Sequence, residues 1–312
     1  MRILATLVLA ATLTGCAAFT DEAPGSADGV QVATAFYPLQ YVAQRVAGDL
    51  ATVVNLTQPG SEPHDLELTV AETAAIADAD LVIHAADFQP GVDEAIAQNG
   101  TGEAIDAAAI VGLEPFDEVG HEHPTEDQAV EESGEDHEHG DLDPHFWQDP
   151  LRMADLGDAV AVELGATDPA HADAYGANAA ALRADLESLD ESYDQGLAGC
   201  ERSTVVVSHD AFGYLEKYGL EMEPIAGLSP DAEPTPADLA RLQDLIRREG
   251  LTTVFSERLV SPRLSRTLAD DLGITTAVLD PVEGLSDETA NEDYLSLMRE
   301  NLRALERANG CS

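Results

Sequence analysis

The sequence predicts an α/β protein: two parallel-sheet lobes joined by one long rigid helix, with a metal site in the cleft between them. Three observations carry this. Short apolar strands alternate with helical stretches from Val30 onward. A helical pattern of unusual length, beginning at Asp168-Pro169 and ending near Ala198, interrupts them. The alternation then starts again at Thr204. Strand–helix alternation favours parallel sheets covered by helices on both faces.

The chain opens with Arg2, an apolar run from Ile3 to Leu13, and then Thr14-Gly15-Cys16. A positive start, a short apolar stretch and small residues before a cleavage point read as a secretory signal, too short to be a stable membrane span. Residues 1–15 are therefore expected to be removed, and Cys16, placed as in a bacterial lipoprotein signal, to be lipidated as the first mature residue. Residues 16–29 are small and polar and read as a tether.

The first lobe is expected over 30–167. Strand Val30–Phe36 stops at Tyr37-Pro38, and a helix covers Leu39–Ala47. Strand Thr52–Leu56 runs into the loop from Gln58 to His64, before a helix at Thr69–Ala77. Strand Leu81–His84, a short helix at Asp93–Gln98 and a helix from Pro150 to about Leu164 complete it. Residues 117–143 break the rhythm: 4 His and 12 Asp+Glu, with no Lys or Arg, cannot make a core and read as an acidic His-rich loop. In 168–199, Tyr175, Leu182, Leu186, Leu189 and Tyr193 recur at helical steps, so this segment reads as a strut. The second lobe, 200–312, has strands at Thr204–Val207, near Glu223–Ala226, at Thr253–Ser256 and at Thr276–Leu279. Its helices are Ala211–Tyr218, Ala237–Glu249, Arg263–Leu272 and Glu292–Ala308.

With 15 Lys+Arg against 60 Asp+Glu the formal net charge is -45, while 44% hydrophobic residues suffice for a core. Nucleic acid is excluded as a partner, since phosphate binding needs a basic face, and so is docking on anionic lipid through a basic patch. Cation binding is compatible. The acidic loop holds only 12 of the 60 acidic residues, so the charge is spread over the whole surface. Two cysteines remain in the mature body, Cys200 and Cys311; in an oxidising compartment an even count suggests a disulfide.

Histidines mark the chemistry. His64 follows the second strand, His145 lies in Asp143-Pro144-His145-Phe146-Trp147, and His209 directly follows Thr204–Val207. Asp280 directly follows the last strand. In open α/β sheets ligands collect beyond the carboxyl ends of strands, and two groups from each lobe would meet in a cleft. Three imidazoles and one carboxylate suit tetrahedral zinc, whereas manganese prefers more oxygen. Glu62 and Glu67 read as outer partners of the imidazoles or as spare ligands. In the acidic loop, His121, His123, His137 and His139 form two His-Glu-His clusters, read as a low-affinity zinc antenna; a solvated loop with incidental histidines is the alternative. His84 reads as a wall histidine and His171 as solvated; Asp210 and Glu257 would orient imidazoles or cap helices.

Phe36-Tyr37-Pro38-Leu39, Glu62-Pro63-His64-Asp65-Leu66-Glu67, Asp143-Pro144-His145-Phe146-Trp147, Ser208-His209-Asp210-Ala211-Phe212-Gly213-Tyr214 and Leu279-Asp280-Pro281 occur in this order along the chain. Together they resemble the zinc/manganese class of solute-binding lipoproteins that feed ABC importers. The resemblance implies two lobes on a rigid helix. It implies metal ligands at His64, His145 and His209, with Asp280 preferred as the fourth, as in many members, and a glutamate or water as the alternatives. A histidine at 209, where manganese members commonly place a carboxylate, points to the zinc branch. The implied function is Zn2+ capture, with Mn2+ as alternative ion, for delivery to an ABC importer permease. Such a protein would be a non-enzymatic monomer anchored through Cys16 on the extracytoplasmic face of the bacterial cell membrane. Rival functions are a zinc-dependent hydrolase, against which the absence of a His-Glu-x-x-His helix and a nucleophile elbow speaks, and a surface adhesin.

Overall fold

A computed structural model describes residues 29–116, 142–230 and 232–312. The expected signal peptide, Cys16, and the loop histidines His121, His123, His137 and His139 lie outside the described residues.

The first sheet is built from β1 (Val30–Thr34), β2 (Ala51–Asn55), β3 (Leu81–His84) and β4 (Glu103–Asp106), in the order β2-β1-β3-β4, all parallel. Leu81, Val82 and Ile83 of β3 are buried in succession, as a strand covered on both faces requires. Between the strands run α1 (Tyr37–Ala47), α2 (Val70–Asp78) and α3 (Pro90–Asn99), followed by α4 (Ala107–Val111). Pro38 sits in the first turn of α1, where its missing N–H costs nothing. Thr69 caps α2 in a reciprocal box with Glu72, so the loop carrying His64 ends at a fixed point.

A short antiparallel ribbon joins β5 (Glu114–Pro115) to β6 (Leu142–Asp143). Arg152 clamps it, donating to the carbonyls of Val111 and Gly112 and to the Glu114 carboxylate. The Arg152 guanidinium lies 4.9 Å from the Tyr214 ring centre, and the Tyr214 hydroxyl donates to the Asp143 carbonyl at 2.9 Å. These contacts fix the chain two residues before His145.

Helix α5 (Pro150–Thr167) and helix α6 (Ala172–Leu197) follow. Along α6, Tyr175, Ala179, Leu182, Leu186, Leu189, Tyr193 and Leu197 are buried, one continuous stripe at helical spacing. Its 26 residues span about 39 Å. It packs on α1 and α5, and also on the last helix of the chain, so it touches both halves. A Cβ at Gly157 of α5 would come within 3.1 Å of Leu182, which is why the two helices can approach so closely there.

The second sheet repeats the first. Strands β7 (Thr204–Val207), β8 (Glu221–Pro224), β9 (Thr253–Ser256) and β10 (Thr275–Val278) lie in the order β8-β7-β9-β10, again all parallel. Helices α7 (Pro236–Glu249), α8 (Arg263–Leu272) and α9 (Tyr294–Asn309) cover it. Each lobe thus places its first strand second in the sheet, and both lobes direct the ends of their strands toward the same cleft.

Most of the buried apolar residues form one core that runs through α1, α5, α6 and α9 and into both sheets. A smaller cluster, including Leu242, Leu245, Ile246 and Leu268, lies under α7 and α8. Lys217, the only lysine of the chain, bonds Asp149 at 2.7 Å and Asp190 at 2.8 Å. It thereby ties the second lobe to the start of α5 and to α6. Cys200 and Cys311 are disulfide-bonded, closing 111 residues of separation as expected.

Three details differ from the sequence expectation. The helix expected at Ala211–Tyr218 is a 3-10 segment, Gly213–Tyr218. The strand expected near Glu223–Ala226 begins earlier, at Glu221. β4, α4 and the ribbon were not anticipated: Glu103–Asp106 carries two acids in four residues and lacks an apolar run.

Candidate metal centre

The three histidines expected to be ligands converge. His64 comes from the loop between β2 and α2, His145 from the residue before the 3-10 turn Phe146–Gln148, and His209 from the loop after β7. Their ring centres lie 5.4, 5.9 and 5.5 Å apart, pair by pair. His145 and His209 are fully buried, whereas His64 keeps slight exposure.

Into this group projects Glu283. One carboxylate oxygen, Oε1, lies 3.5 Å from His64 Nε2, 3.4 Å from His145 Nε2 and 3.5 Å from His209 Nε2. All four ligand atoms lie within 4.8 Å of one another. None of the four has a hydrogen-bond partner, although each is buried. Burying one unpartnered polar atom is costly, and four aimed at a single point call for a shared cation. A tetrahedral ion with arms of about 2.0–2.1 Å has edges of roughly 3.3–3.4 Å, close to the three distances to Glu283.

Outer partners orient the rings. Asp143 Oδ1 is 2.7 Å from His145 Nδ1 and also accepts the His145 backbone N–H. Glu257 Oε1 is 2.7 Å from His209 Nδ1. A carboxylate on the far nitrogen holds the proton there and turns the free nitrogen toward the centre. Glu62 accepts the His64 backbone N–H at 3.1 Å and stands 3.8 Å from His64 Nε2. The rings are walled by Phe88, 4.7 Å from His64, and by Trp147, 5.1 Å from His145.

The electrostatics couple the imidazoles to the carboxylates around them. Burial opposes charge on His209, but Glu257 and Glu283 outweigh it and push the imidazole up to about 10. Burial likewise opposes charge on His145, and Asp143 with Glu283 raises it. Burial would raise the Glu283 carboxyl, yet the three imidazoles hold it well below the usual carboxylate range.

Asp280, expected as the fourth member, stands outside this group. Its carboxylate is turned away: Oδ2 accepts Arg258 Nε–H at 2.9 Å and Oδ1 accepts the Val282 N–H at 2.9 Å. Val282 then adopts φ 60°, a backbone conformation that is strained for a β-branched residue. That reversal delivers the next residue, Glu283, into the cluster. The loop is docked on the first lobe, since Trp147 Nε1 (2.8 Å) and Gln148 Nε2 (2.5 Å) both donate to the Pro281 carbonyl. Sequence reasoning missed Glu283 because a strand-end carboxylate, Asp280, stood nearer the expected position.

The other singled-out residues fall elsewhere. Glu67 is exposed. His84 pairs with Asp93 at 2.9 Å and His171 with Asp168 at 2.6 Å. Asp210 is buried, its backbone N–H bonded to Gly227.

A family profile described as the periplasmic zinc-uptake complex component A (ZnuA) matches residues 32–308. The chain belongs to this family. Among ZnuA-family relatives, the zinc-binding lipoprotein AdcA of Streptococcus pneumoniae (strain ATCC BAA-255 / R6) is 34% identical over 289 residues, 90% of this chain. The match spans only 56% of that relative, so this chain covers little more than half its length. The high-affinity zinc uptake system protein ZnuA of Bacillus subtilis (strain 168) is 31% identical over 307 residues, 97% of this chain and 95% of that protein. The crystal structure of the Zn(II)-bound ZnuA-like domain of Streptococcus pneumoniae AdcA superposes with a TM-score of 0.72 at 32% identity, covering 90% of this chain and 99% of the domain. The ZnuA-like architecture is thus matched in sequence and in structure over both lobes.

Proposed function

We propose that this protein captures one Zn2+ in the cleft and delivers it to the membrane permease of an ABC importer. The observation that carries this is the set of four unpartnered, buried ligand atoms of His64, His145, His209 and Glu283, all within 4.8 Å of one another and with Glu283 Oε1 at 3.4–3.5 Å from each imidazole. Three nitrogens and one oxygen favour zinc over manganese, which prefers more oxygen and more ligands. Four protein groups also leave no open position for an activated water, so the site serves binding and not hydrolysis. The ion is cargo. Residues 30–167 and 200–312 are read as the two lobes, and 168–199 as the strut between them. The mature protein works as a monomer on the extracytoplasmic face of the membrane, anchored through lipid on Cys16. Its loop histidines His121, His123, His137 and His139 hold zinc weakly.

The test is calorimetric titration of residues 17–312 with Zn2+ and with Mn2+, each competed by a chelator. One tight zinc site that manganese does not displace is expected. Glu283→Gln should weaken zinc by about 100-fold or more, since one buried partner of a charged set is worth roughly 3–5 kcal/mol. Equal or tighter manganese binding would overturn the zinc reading, and no tight site for either ion would overturn metal capture.

A further inference from the structure

We infer that Arg258 is a positioning residue that withholds Asp280 from the captured ion and so leaves Glu283 as its only carboxylate ligand. The inference rests on the metal-capture reading and adds to it what decides the ligand set. The Asp280 backbone is pinned, with its N–H on Asn301 Oδ1 at 2.9 Å and its carbonyl receiving Asn301 Nδ2 at 2.6 Å. Only the side chain is left to choose a direction. It is 4% exposed and therefore needs a cationic or hydrogen-bonding partner inside the protein.

Arg258 supplies that partner. Its Nε–H takes Asp280 Oδ2, and its Nη atoms reach Glu300 at 3.0 Å and Glu288 at 3.5 Å. The guanidinium is thus anchored on α9 and on the loop before it. The neighbouring residue, Glu257, faces the other way and holds His209. The end of β9 therefore sends one acid toward the metal centre and one base to hold another acid back. With Asp280 engaged, its other oxygen fixes the Val282 N–H and the reversed backbone that brings Glu283 inward.

Without the guanidinium, Asp280 would be a buried acid with no cationic partner, three residues before Glu283. A second carboxylate on the ion raises its coordination number and moves preference away from zinc.

The experiment uses Co2+ as a spectroscopic stand-in for zinc, with R258M in two backgrounds, native and D280N. In the native background, R258M should weaken Zn2+ by about 10–100-fold, the usual effect of losing an outer partner. The intense visible bands of tetrahedral Co2+ should weaken as coordination rises. R258K, which keeps the charge, should retain most of the native bands. In the D280N background, where there is no carboxylate to withhold, adding R258M should change neither affinity nor bands further. An equal loss in both backgrounds, or native-like bands and affinity in folded R258M, would overturn the inference. If R258M does not fold alone, D280N against D280N/R258M carries the same comparison, and a further loss there overturns it. A native protein that takes up neither ion would count against metal capture itself, a separate result.

Discussion

Glu257 Oε1 sits 2.7 Å from His209 Nδ1, and the same oxygen receives the Ser208 hydroxyl. One carboxylate thus fixes both the ring that faces the imidazole–Glu283 cluster and the turn that carries it. Glu257→Ala should lower zinc affinity by about 10–100-fold while leaving the fold intact. Competition against a chelator of known affinity measures this. An unchanged affinity would mean that packing alone orients His209.

Metal binding should release protons at neutral pH. In the metal-free protein the His209 imidazole is pushed up to about 10, above its ordinary 6.5. Its contribution to stability is complete below about pH 6.5 and is lost as pH rises toward 10. Glu283 shifts the opposite way, so its contribution is present above the ordinary carboxylate range and is lost in acid. Zinc must displace the His209 proton, so affinity should climb with pH until about 10, where that imidazole loses its proton unaided. Calorimetry in buffers of different ionisation enthalpy counts the proton; none released at pH 7 would show that His209 is already neutral.

The Cys200–Cys311 bridge should matter for stability. Reduction, or Cys311→Ser, should lower stability by about 2–5 kcal/mol, since the bridge closes a long loop. Melting with and without reductant reads the effect. Denatured, unreduced protein lacking Cys16 should show no free thiol.

Salt should stabilise the protein. A net charge of -45 repels itself in the compact state. Raising ionic strength from about 0.1 M to about 1 M shortens the screening length from roughly 10 Å to 3 Å. The melting temperature should therefore climb by several degrees. A melting temperature that fell with added sodium chloride would show that the surface ion pairs, such as Arg183 with Asp155 and Asp158, outweigh the repulsion.

Much of this was legible in the sequence, and the reasons differ by element. The strut was readable because Leu182, Leu186, Leu189 and Tyr193 must share one helical face to be buried. The three histidines were readable because each follows a strand or a Pro-bounded turn, and chain ends of parallel strands converge. Glu283 was not. Its placement depends on a positive φ at Val282 and on an ion pair between Arg258 and Asp280, residues 22 apart in sequence. Local propensity argues against that φ for a β-branched residue, and no spacing rule reports a long-range guanidinium. β4 was hidden for a related reason: only Ile105 of its four residues is buried.

The single lysine has a practical side. Lys217 is already engaged by Asp149 and Asp190. Reagents that seek primary amines therefore find almost nothing on this surface, apart from any free chain start. Amine-reactive dyes, crosslinkers and sensor chips would either miss the protein or attach at the junction between its halves, loosening what they were meant to hold. Carboxylates, abundant everywhere on the molecule, are the natural handle for conjugation.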